Sequence, residues 1–312
     1  MNGHVQHFGE AQDRAPLPSH LVGASWRVES HRHRMSTMDR IVITAATIIK
    51  RYSNRVSRDR EAAILRYFHS TPLAPLVPIL FGTSERNDSQ ESERYELLMS
   101  LIPGKPLSRE SLNPTLIRNL ASAMATCHRL TSFTSYGTVT PYIAVEQPAR
   151  PCFGSFLLQQ LATWRARLPA TALKYRMVSE VLAREVNRAM SRWNEFTPPV
   201  LSHNDFGLSN ILHANDNITG IVDWEYAGAY PLAWELRKLF PVLHWTSSEL
   251  AAEFDATYCA LCPSAVMPTL GEQAVLVASD CIGAFSHRGR AAQQSKEEID
   301  RRLERALTIL NW

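Results

Sequence analysis

The feature that most constrains the fold of this 312-residue chain is one segment, residues 200–227, with the sequence VLSHNDFGLSNILHANDNITGIVDWEYA. It contains His203, Asp205 and Asn210 in the pattern H-x-D-x-x-x-x-N, then a short apolar strand, an Asn/Asp turn, a second strand and Asp223. Asn and Asp are typical turn residues, so the two strands are predicted to form a hairpin. Because Asn210 lies at the start of the first strand and Asp223 lies at the end of the second, both side chains are predicted to meet at the same end of the hairpin.

The residue types at that end indicate phosphoryl transfer. Asp205 lies five residues before Asn210 in the connecting loop and can reach the same end of the hairpin. Phosphoryl transfer requires hard oxygen ligands for magnesium and a separate carboxylate that orients the attacking hydroxyl group and accepts its proton. His203 is expected to brace the loop by hydrogen bonding. The alternative is a polar surface turn, where Asn and Asp occur only because turns favour them.

The same residues match the His-x-Asp, Asn and Asp pattern of protein kinases. The segment resembles the catalytic loop and metal-binding segment of the aminoglycoside phosphotransferase and choline kinase-like family, which has the protein-kinase fold. This resemblance implies that Asp205 is the catalytic base, that Asn210 and Asp223 are magnesium ligands, and that His203 supports the loop. ATP and Mg²⁺ are the cofactors that it implies.

Two positions depart from the family pattern. Asn204 stands where the family usually has glycine, so Asn204 must tolerate the local backbone or shift it. Glu235 stands where many relatives have a structural aspartate. The sequence that begins at Asp223, DWEYAGAYPLAWELRKL, is similar especially to fungal members of the family.

A cation for the nucleotide phosphates is predicted at Lys50, at the end of a strand rich in β-branched residues. Glu61 follows eleven residues later in the predicted helix DREAAILRYF and is expected to form an ion pair with Lys50. The pair resembles the family's strand lysine and helix glutamate. A solvated lysine and an ordinary first-turn glutamate are the alternative. Arg51 faces the opposite side by alternation.

The stretch ELLMSLIPGKPL resembles the family's hinge between lobes, where backbone groups bind the adenine. On this resemblance Met99, Ser100 and Leu101 border the base. The glycine-rich loop that usually covers the phosphates is absent, and Ser36 and Thr37 are candidates to replace it. A Walker-type G-x-x-x-x-G-K is also absent, which excludes a P-loop enzyme.

The order of predicted elements gives the fold class. Strands dominate before Ile102-Pro103-Gly104 and helices dominate after it, which predicts an α+β, protein-kinase-like bilobal fold with a small β-rich N-lobe and a larger helical C-lobe. We predict a flexible tail at 1–17, a nucleotide-binding lobe at 18–102, and a helical lobe with the catalytic loop and substrate site at 103–312.

Composition restricts the partners. The 33 basic and 30 acidic residues nearly cancel, so neither nucleic acid nor a membrane is an expected partner. No apolar run approaches the roughly 20 residues of a membrane span, and no signal peptide is evident, so a cytoplasmic protein with reduced thiols is expected. The partner is predicted to be a small hydroxylated molecule, and the oligomeric state is not predicted.

Other functions are weighed as follows. A serine hydrolase is disfavoured, because no G-x-S-x-G is present. A pseudokinase-like binding module and a biosynthetic enzyme that reuses the scaffold for another reaction stay open. Seven arginines disfavour a polycationic aminoglycoside and favour a neutral or anionic metabolite, unless they simply face solvent. They are Arg150, Arg165, Arg167, Arg176, Arg184, Arg188 and Arg192.

Overall fold

The computed structural model describes residues 41–43, 46–86, 94–146, 150–196, 198–287 and 293–312. The tail predicted at 1–17 and the candidate phosphate loop with Ser36 and Thr37 lie outside these ranges. The predicted boundaries between the tail and the two lobes stay predictions.

The N-terminal region forms one antiparallel sheet with the strand order β1-β2-β4-β3. Lys50 lies opposite Leu97 in the central pair of strands, so the sheet fixes its position from both sides. β-branched residues suit such a half-buried, pleated surface. The strands are β1 (Ile41–Ile43), β2 (Thr47–Tyr52), β3 (Leu80–Arg86) and β4 (Arg94–Ser100).

Helix α1 (Arg55–Phe68) follows β2 and carries Glu61. It begins four residues before the predicted start at Asp59, and its first turn contains no acidic residue. The prediction was wrong because Asn54 is the N-cap: its side-chain oxygen accepts the backbone N–H of Ser57 at 2.8 Å. The helix packs against the sheet, and the ring of Phe68 contacts that of Trp224 at 4.6 Å between centroids.

The chain leaves the sheet at Pro103-Gly104. Gly104 has a φ of +134°, and a Cβ there would lie 2.5 Å from Thr219 Oγ1 and 2.9 Å from the carbonyl oxygen of His213. Glycine is therefore required at this turn, which brings β5 (Lys105–Pro106) alongside β8 (Ile211–Ala214).

The rest of the described chain is mainly helical. Helix α2 packs against α7, α3 against α4 and α8, and α8 against α9, around a continuous apolar core. The helices are α2 (Pro114–Leu130), α3 (Phe153–Arg167), α4 (Leu173–Arg188), α5 (Met190–Trp193), α6 (Leu232–Glu235), α7 (Ser248–Leu261), α8 (Leu270–His287) and α9 (Gln293–Ile309). A small antiparallel sheet and a mostly helical remainder confirm the predicted α+β, bilobal class.

Two three-stranded sheets lie within the helical part and support the motif segment. One has the order β5-β8-β9, and the other has the order β6-β10-β7. The remaining strands are β6 (Gly137–Thr138), β7 (Val200–Ser202), β9 (Asn217–Ile221) and β10 (Gly228–Tyr230). Within the described ranges, no helix has the length and apolar character needed to cross a membrane.

Candidate active site

The predicted hairpin is present and brings Asn210 and Asp223 to one end. Strands β8 and β9 are antiparallel, with Ile211 opposite Ile221. The N–H of Val222 donates to the carbonyl oxygen of Asn210 at 2.9 Å and so closes the open end of the hairpin. Asp223 follows in the left-handed region, with φ of +71°, which is uncommon for non-glycine residues but is adopted more often by Asp and Asn than by most others.

Asp205 lies in the loop between β7 and β8 and is joined to Asn210 by two hydrogen bonds. The Nδ2 of Asn210 donates to the carbonyl oxygen of Asp205 at 2.9 Å and to its Oδ2 at 3.1 Å. The other carboxylate oxygen, Oδ1, forms an ion pair with Lys238. The carboxylate of Asp205 is partly exposed, with 20% of its side chain accessible, and is held on both oxygens.

His203 is buried beneath this loop and uses both ring nitrogens. Nδ1 accepts the N–H of Asp205 at 3.2 Å, and Nε2 lies 2.8 Å from the carbonyl oxygen of Val222. Since Nδ1 is an acceptor, the proton belongs on Nε2. Burial lowers the pKa of His203 to about 4, so the ring is neutral at physiological pH. The ring therefore connects the loop at Asp205 to Val222, the residue before Asp223, as expected for a residue that braces the loop.

The two departures from the family pattern form one arrangement. Asn204 adopts φ of +64°, and its side chain donates to the carbonyl oxygen of Tyr226 and accepts from Trp234 Nε1. Asparagine tolerates this backbone better than most residues do. The two carboxylate oxygens of Glu235 accept the N–H groups of His203 and Asn204, each at 2.8 Å. Asn204 therefore keeps the loop conformation without glycine.

A buried chain of charges supports the same loop from the C-terminal helices. Arg237 donates to the carbonyl oxygen of Asn204 at 2.6 Å and to Asp280 Oδ1 at 2.9 Å. Arg302 on α9 donates to Asp280 Oδ2 at 3.0 Å. Burial alone would raise the pKa of Asp280, but Arg237, Lys238 and Arg302 hold it well below its usual range.

Lys50 lies 2.6 Å from Glu61 Oε2, 2.5 Å from Asp223 Oδ1 and 3.8 Å from Glu225 Oε2. Only 3% of its side chain is exposed. Burial alone would lower the pKa of Lys50, but the three carboxylates raise it well above the ordinary lysine value. The predicted pair of Lys50 and Glu61 is thus present, and it lies against Asp223.

Glu61 is held by two further donors. The hydroxyl of Tyr52 donates to Oε2 at 2.6 Å, and the N–H of Trp224 donates to Oε1 at 3.3 Å. The neighbouring Arg60 is also buried and joins α1 to the segment after Asp223, because its Nη1 donates to the carbonyl oxygen of Glu225 at 2.9 Å. Helix α1 and the hairpin end are therefore fixed to one another.

Comparisons with known proteins decide the family. The model of a family described as "Phosphotransferase enzyme family" matches residues 40–270, more than half of the chain. The chain belongs to the phosphotransferase enzyme family. A comparison with curated protein sequences gave no match.

Three solved structures similar to this phosphotransferase have related folds. A thermostable mutant of aminoglycoside phosphotransferase APH(4)-Ia, in ternary complex with AMP-PNP and hygromycin B, has a TM-score of 0.61 at 16% identity, covering 86% of this chain and 87% of that chain. ADP-bound aminoglycoside phosphotransferase APH(2'')-Ib has a TM-score of 0.57 at 14% identity, with coverages of 89% and 91%. Plasmodium vivax ethanolamine kinase has a TM-score of 0.56 at 16% identity, with coverages of 83% and 75%. At these identities the likeness establishes the kinase-like fold, and the predicted closeness to fungal members stays a prediction.

Glu225 lies beside Lys50 and Asp223, and sequence reasoning missed it. Glu61, Asp223 and Glu225 each place a carboxylate oxygen within 4.8 Å of the others. Burial raises the pKa of Glu225 to about 7, although Lys50 acts in the opposite direction. The signal was its position two residues after Asp223 in the sequence D-W-E.

The donor set suits a magnesium ion. Asn210 directs Nδ2 at Asp205, so its Oδ1 lies on the other side of the carboxamide, and Asp223 supplies a carboxylate. Magnesium prefers such hard oxygen ligands. Lys50 is the lysine that contacts the three buried carboxyl groups of this cluster. The excess of negative charge also favours the binding of a divalent cation.

At the hinge, the structure limits how a base can be bound. The N–H of Ser100 donates to the carbonyl oxygen of Ile79 at 2.8 Å, and that of Leu101 donates to Ala46 at 2.9 Å. Both N–H groups are used within the sheet and its continuation. That Met99, Ser100 and Leu101 border the adenine stays a prediction. If they do, the N–H groups of Ser100 and Leu101 are not the donors to the base, because both are already bonded.

Proposed function

We propose that this phosphotransferase transfers the γ-phosphoryl group of ATP, with magnesium, to a hydroxyl group of a small molecule. The observation that carries the proposal is the connected group formed by Lys50, Asp223, Asn210 and Asp205. Lys50 contacts Asp223, the residue before Asp223 bonds to Asn210, and Asn210 bonds to Asp205. A phosphate-binding cation, two metal ligands and a base are required by this reaction.

In the proposed reaction, the hydroxyl oxygen of the acceptor forms a bond to the γ-phosphorus of ATP. The bond between that phosphorus and the bridging oxygen breaks, and its electron pair leaves with ADP. Asp205 accepts the hydroxyl proton, and Asn210 orients the carboxylate through Oδ2. His203 holds the loop in place and is not the base, because both ring nitrogens are already bonded.

Lys50 would bind the α- and β-phosphates, with Glu61 fixing the direction of its side chain. Asn210 and Asp223 would hold the magnesium ion, which when bound neutralises charge on the phosphates and orients them. Lys50 contacts Asp223 directly, so the residue that would bind phosphate lies beside the residue that would hold magnesium.

The acceptor is proposed to be a small hydroxylated molecule. Hygromycin B and ethanolamine, which the names of two similar structures mention, are molecules of this kind. Three of the seven arginines between residues 141 and 193 pair with glutamates: Arg165 with Glu180, Arg188 with Glu185, and Arg192 with Glu272. A neutral or anionic acceptor stays our prediction. A cytoplasmic location remains our expectation.

The proposal is tested in two steps. Isothermal calorimetry with ATP, with and without magnesium, should detect magnesium-dependent binding that Asp223→Ala weakens. Mass spectrometry with a panel of sugars, alcohols and amino alcohols should detect a product heavier by one phosphoryl group. Asp205→Asn should abolish this product while leaving ATP affinity unchanged, and Asp255→Asn on α7 serves as the matched control.

Two results would contradict the proposal in different ways. If nucleotide does not bind, the protein is better explained as a binding module with a kinase fold. If ATP and magnesium bind but no acceptor is phosphorylated, the scaffold serves another reaction.

A further inference from the structure

Residues 235–238 hold the catalytic loop from one side. Glu235 accepts two backbone N–H groups of the loop, and Arg237 donates to the carbonyl oxygen of Asn204. Lys238 forms the ion pair with Asp205 Oδ1. Since its neighbours are bonded to the loop backbone, the position of Lys238 relative to Asp205 is set by the fold.

The side chain of Lys238 lies along the loop, from Gly207 to Asp205. A Cβ on Gly207 would lie 4.0 Å from Cδ of Lys238, which is ordinary van der Waals contact. The Lys238 side chain is 30% exposed, whereas that of Lys50 is 3% exposed. The Lys238 side chain is therefore more accessible to a bound molecule than that of Lys50 is.

The carboxylate of Asp205 lies between two different groups. Its Oδ2 accepts from Asn210, on the side of the proposed metal, and its Oδ1 contacts the Lys238 ammonium group. An acceptor hydroxyl that hydrogen-bonds to Asp205 is therefore also close to Lys238 Nζ. The phosphoryl group that this hydroxyl attacks arrives at the same place.

Phosphoryl transfer requires positive charge beside the transferred phosphoryl group. Negative charge on the transferred phosphoryl group is spread over its three equatorial oxygens. The loop itself, HNDFGLSN from residue 203 to 210, contains no lysine or arginine. Lys50 is on the nucleotide side and is balanced by buried carboxylates. Within the described ranges, the cation in ion-pair contact with Asp205 is Lys238.

We propose that Lys238 is a further catalytic residue, whose ammonium group contacts the phosphoryl group during transfer. This inference rests on the proposed function. Lys238 keeps its protons throughout: the hydroxyl proton goes to Asp205, the new O–P bond forms, and the electron pair of the broken bond leaves with ADP. The ion pair with Asp205 places Lys238 beside the carboxylate that accepts the hydroxyl proton.

Three variants test this role. Lys238→Met removes the charge and keeps an unbranched side chain beside Gly207, and Lys238→Arg keeps the charge. Lys174→Met is the control, because Lys174 is an exposed lysine that pairs with Glu304 between α4 and α9. Calorimetry measures the affinity for magnesium–ADP alone and for magnesium–ADP with aluminium fluoride, which mimics the transferred phosphoryl group. ATP hydrolysis, with water as acceptor, is measured alongside.

Loss of one preorganised transition-state donor costs on the order of 10²-fold in rate, and we expect Lys238→Met to weaken binding of the aluminium fluoride complex by that order. Its affinity for magnesium–ADP should be unchanged, the KM for ATP in hydrolysis should be unchanged, and kcat should fall. Lys238→Arg should recover most of the loss.

Two results would overturn the role of Lys238 while leaving the proposed function intact. In one, Lys238→Met binds the aluminium fluoride complex as tightly as the wild type. In the other, it weakens magnesium–ADP and the mimic equally, which would mean that Lys238 only supports the loop. If the wild type binds no magnesium–ADP, the proposed function itself is wrong and the inference is lost with it.

Discussion

Substitution of Arg60 tests whether helix α1 is held in place by the C-terminal region. The Arg60 guanidinium donates to the carbonyl oxygens of Val139 at 2.6 Å and Glu225 at 2.9 Å, and to Glu146 Oε1 at 2.8 Å. Only 9% of the Arg60 side chain is exposed. These bonds join α1, next to Glu61, to the segment that carries Asp223.

The expected loss of stability follows from these three hydrogen bonds. Arg60→Met keeps the apolar stem but removes the donor from two buried backbone carbonyls, each costing about 1–3 kcal/mol. Glu146 is 37% exposed, and a partly exposed ion pair adds at most about 1 kcal/mol. We expect a loss of roughly 2–7 kcal/mol in the free energy of unfolding, a large part of the about 5–15 kcal/mol of a typical domain. Because Glu61 directs Lys50, the affinity for magnesium–ATP should fall as well.

The control is Arg58, another buried arginine on the same helix. Arg58 donates to the carbonyl oxygen of Ser84 at 3.0 Å and to Glu85 at 3.1 Å, both within the N-terminal sheet. Denaturant unfolding should show that Arg58→Met and Arg60→Met both lose stability. Calorimetry should show a weaker magnesium–ATP complex for Arg60→Met alone. Equal changes in nucleotide affinity, or a stability loss for Arg60→Met under about 1 kcal/mol, would refute the reasoning.

Two further predictions concern the loop and the carboxylate cluster. Asn204→Ala should lower stability by about 1–3 kcal/mol in denaturant unfolding, because a non-glycine residue at φ of +64° then lacks its two side-chain hydrogen bonds, whereas Asn204→Gly should lose less. Glu225 titrates near pH 7 when folded and at an ordinary 4.5 when unfolded, so its burial costs nothing below pH 4.5, an increasing amount up to pH 7, and a constant amount above. Glu225→Gln should therefore gain stability relative to the wild type between pH 5 and pH 8, by up to roughly 3 kcal/mol at about 1.4 kcal/mol per pKa unit. A difference that is constant with pH would contradict this assignment.

The sequence was sufficient for features that depend on local spacing. The hairpin between Asn210 and Asp223 follows from a turn between two short apolar strands, and a turn of this kind fixes which residues meet. The pair of Lys50 and Glu61 follows from a strand leading directly into a helix. The start of that helix was misplaced, although Asn54 is a typical N-cap residue and could have indicated it.

The sequence was not sufficient for contacts that tertiary packing creates. Lys238 comes 33 residues after Asp205, and nothing in the intervening composition indicates that the two meet. The role of Arg60 cannot be predicted from its local sequence, because its three acceptors lie far along the chain. The arginines on α3 and α4 favoured a neutral or anionic substrate, and the pairing of Arg165 with Glu180 between these two helices, which weakens that argument for one of them, is created by packing.

The links from Asn204 through Arg237 and Asp280 to Arg302 have a consequence for biosynthesis. A ribosome makes the loop at residues 203–210 almost one hundred residues before it makes the last of these partners. Until α9 has emerged and packed, the carboxylate of Asp280 lacks one of its two guanidinium partners. A nascent chain that stalls before α9 should therefore hold its loop less firmly than the finished protein does, and shortened expression designs should retain this helix.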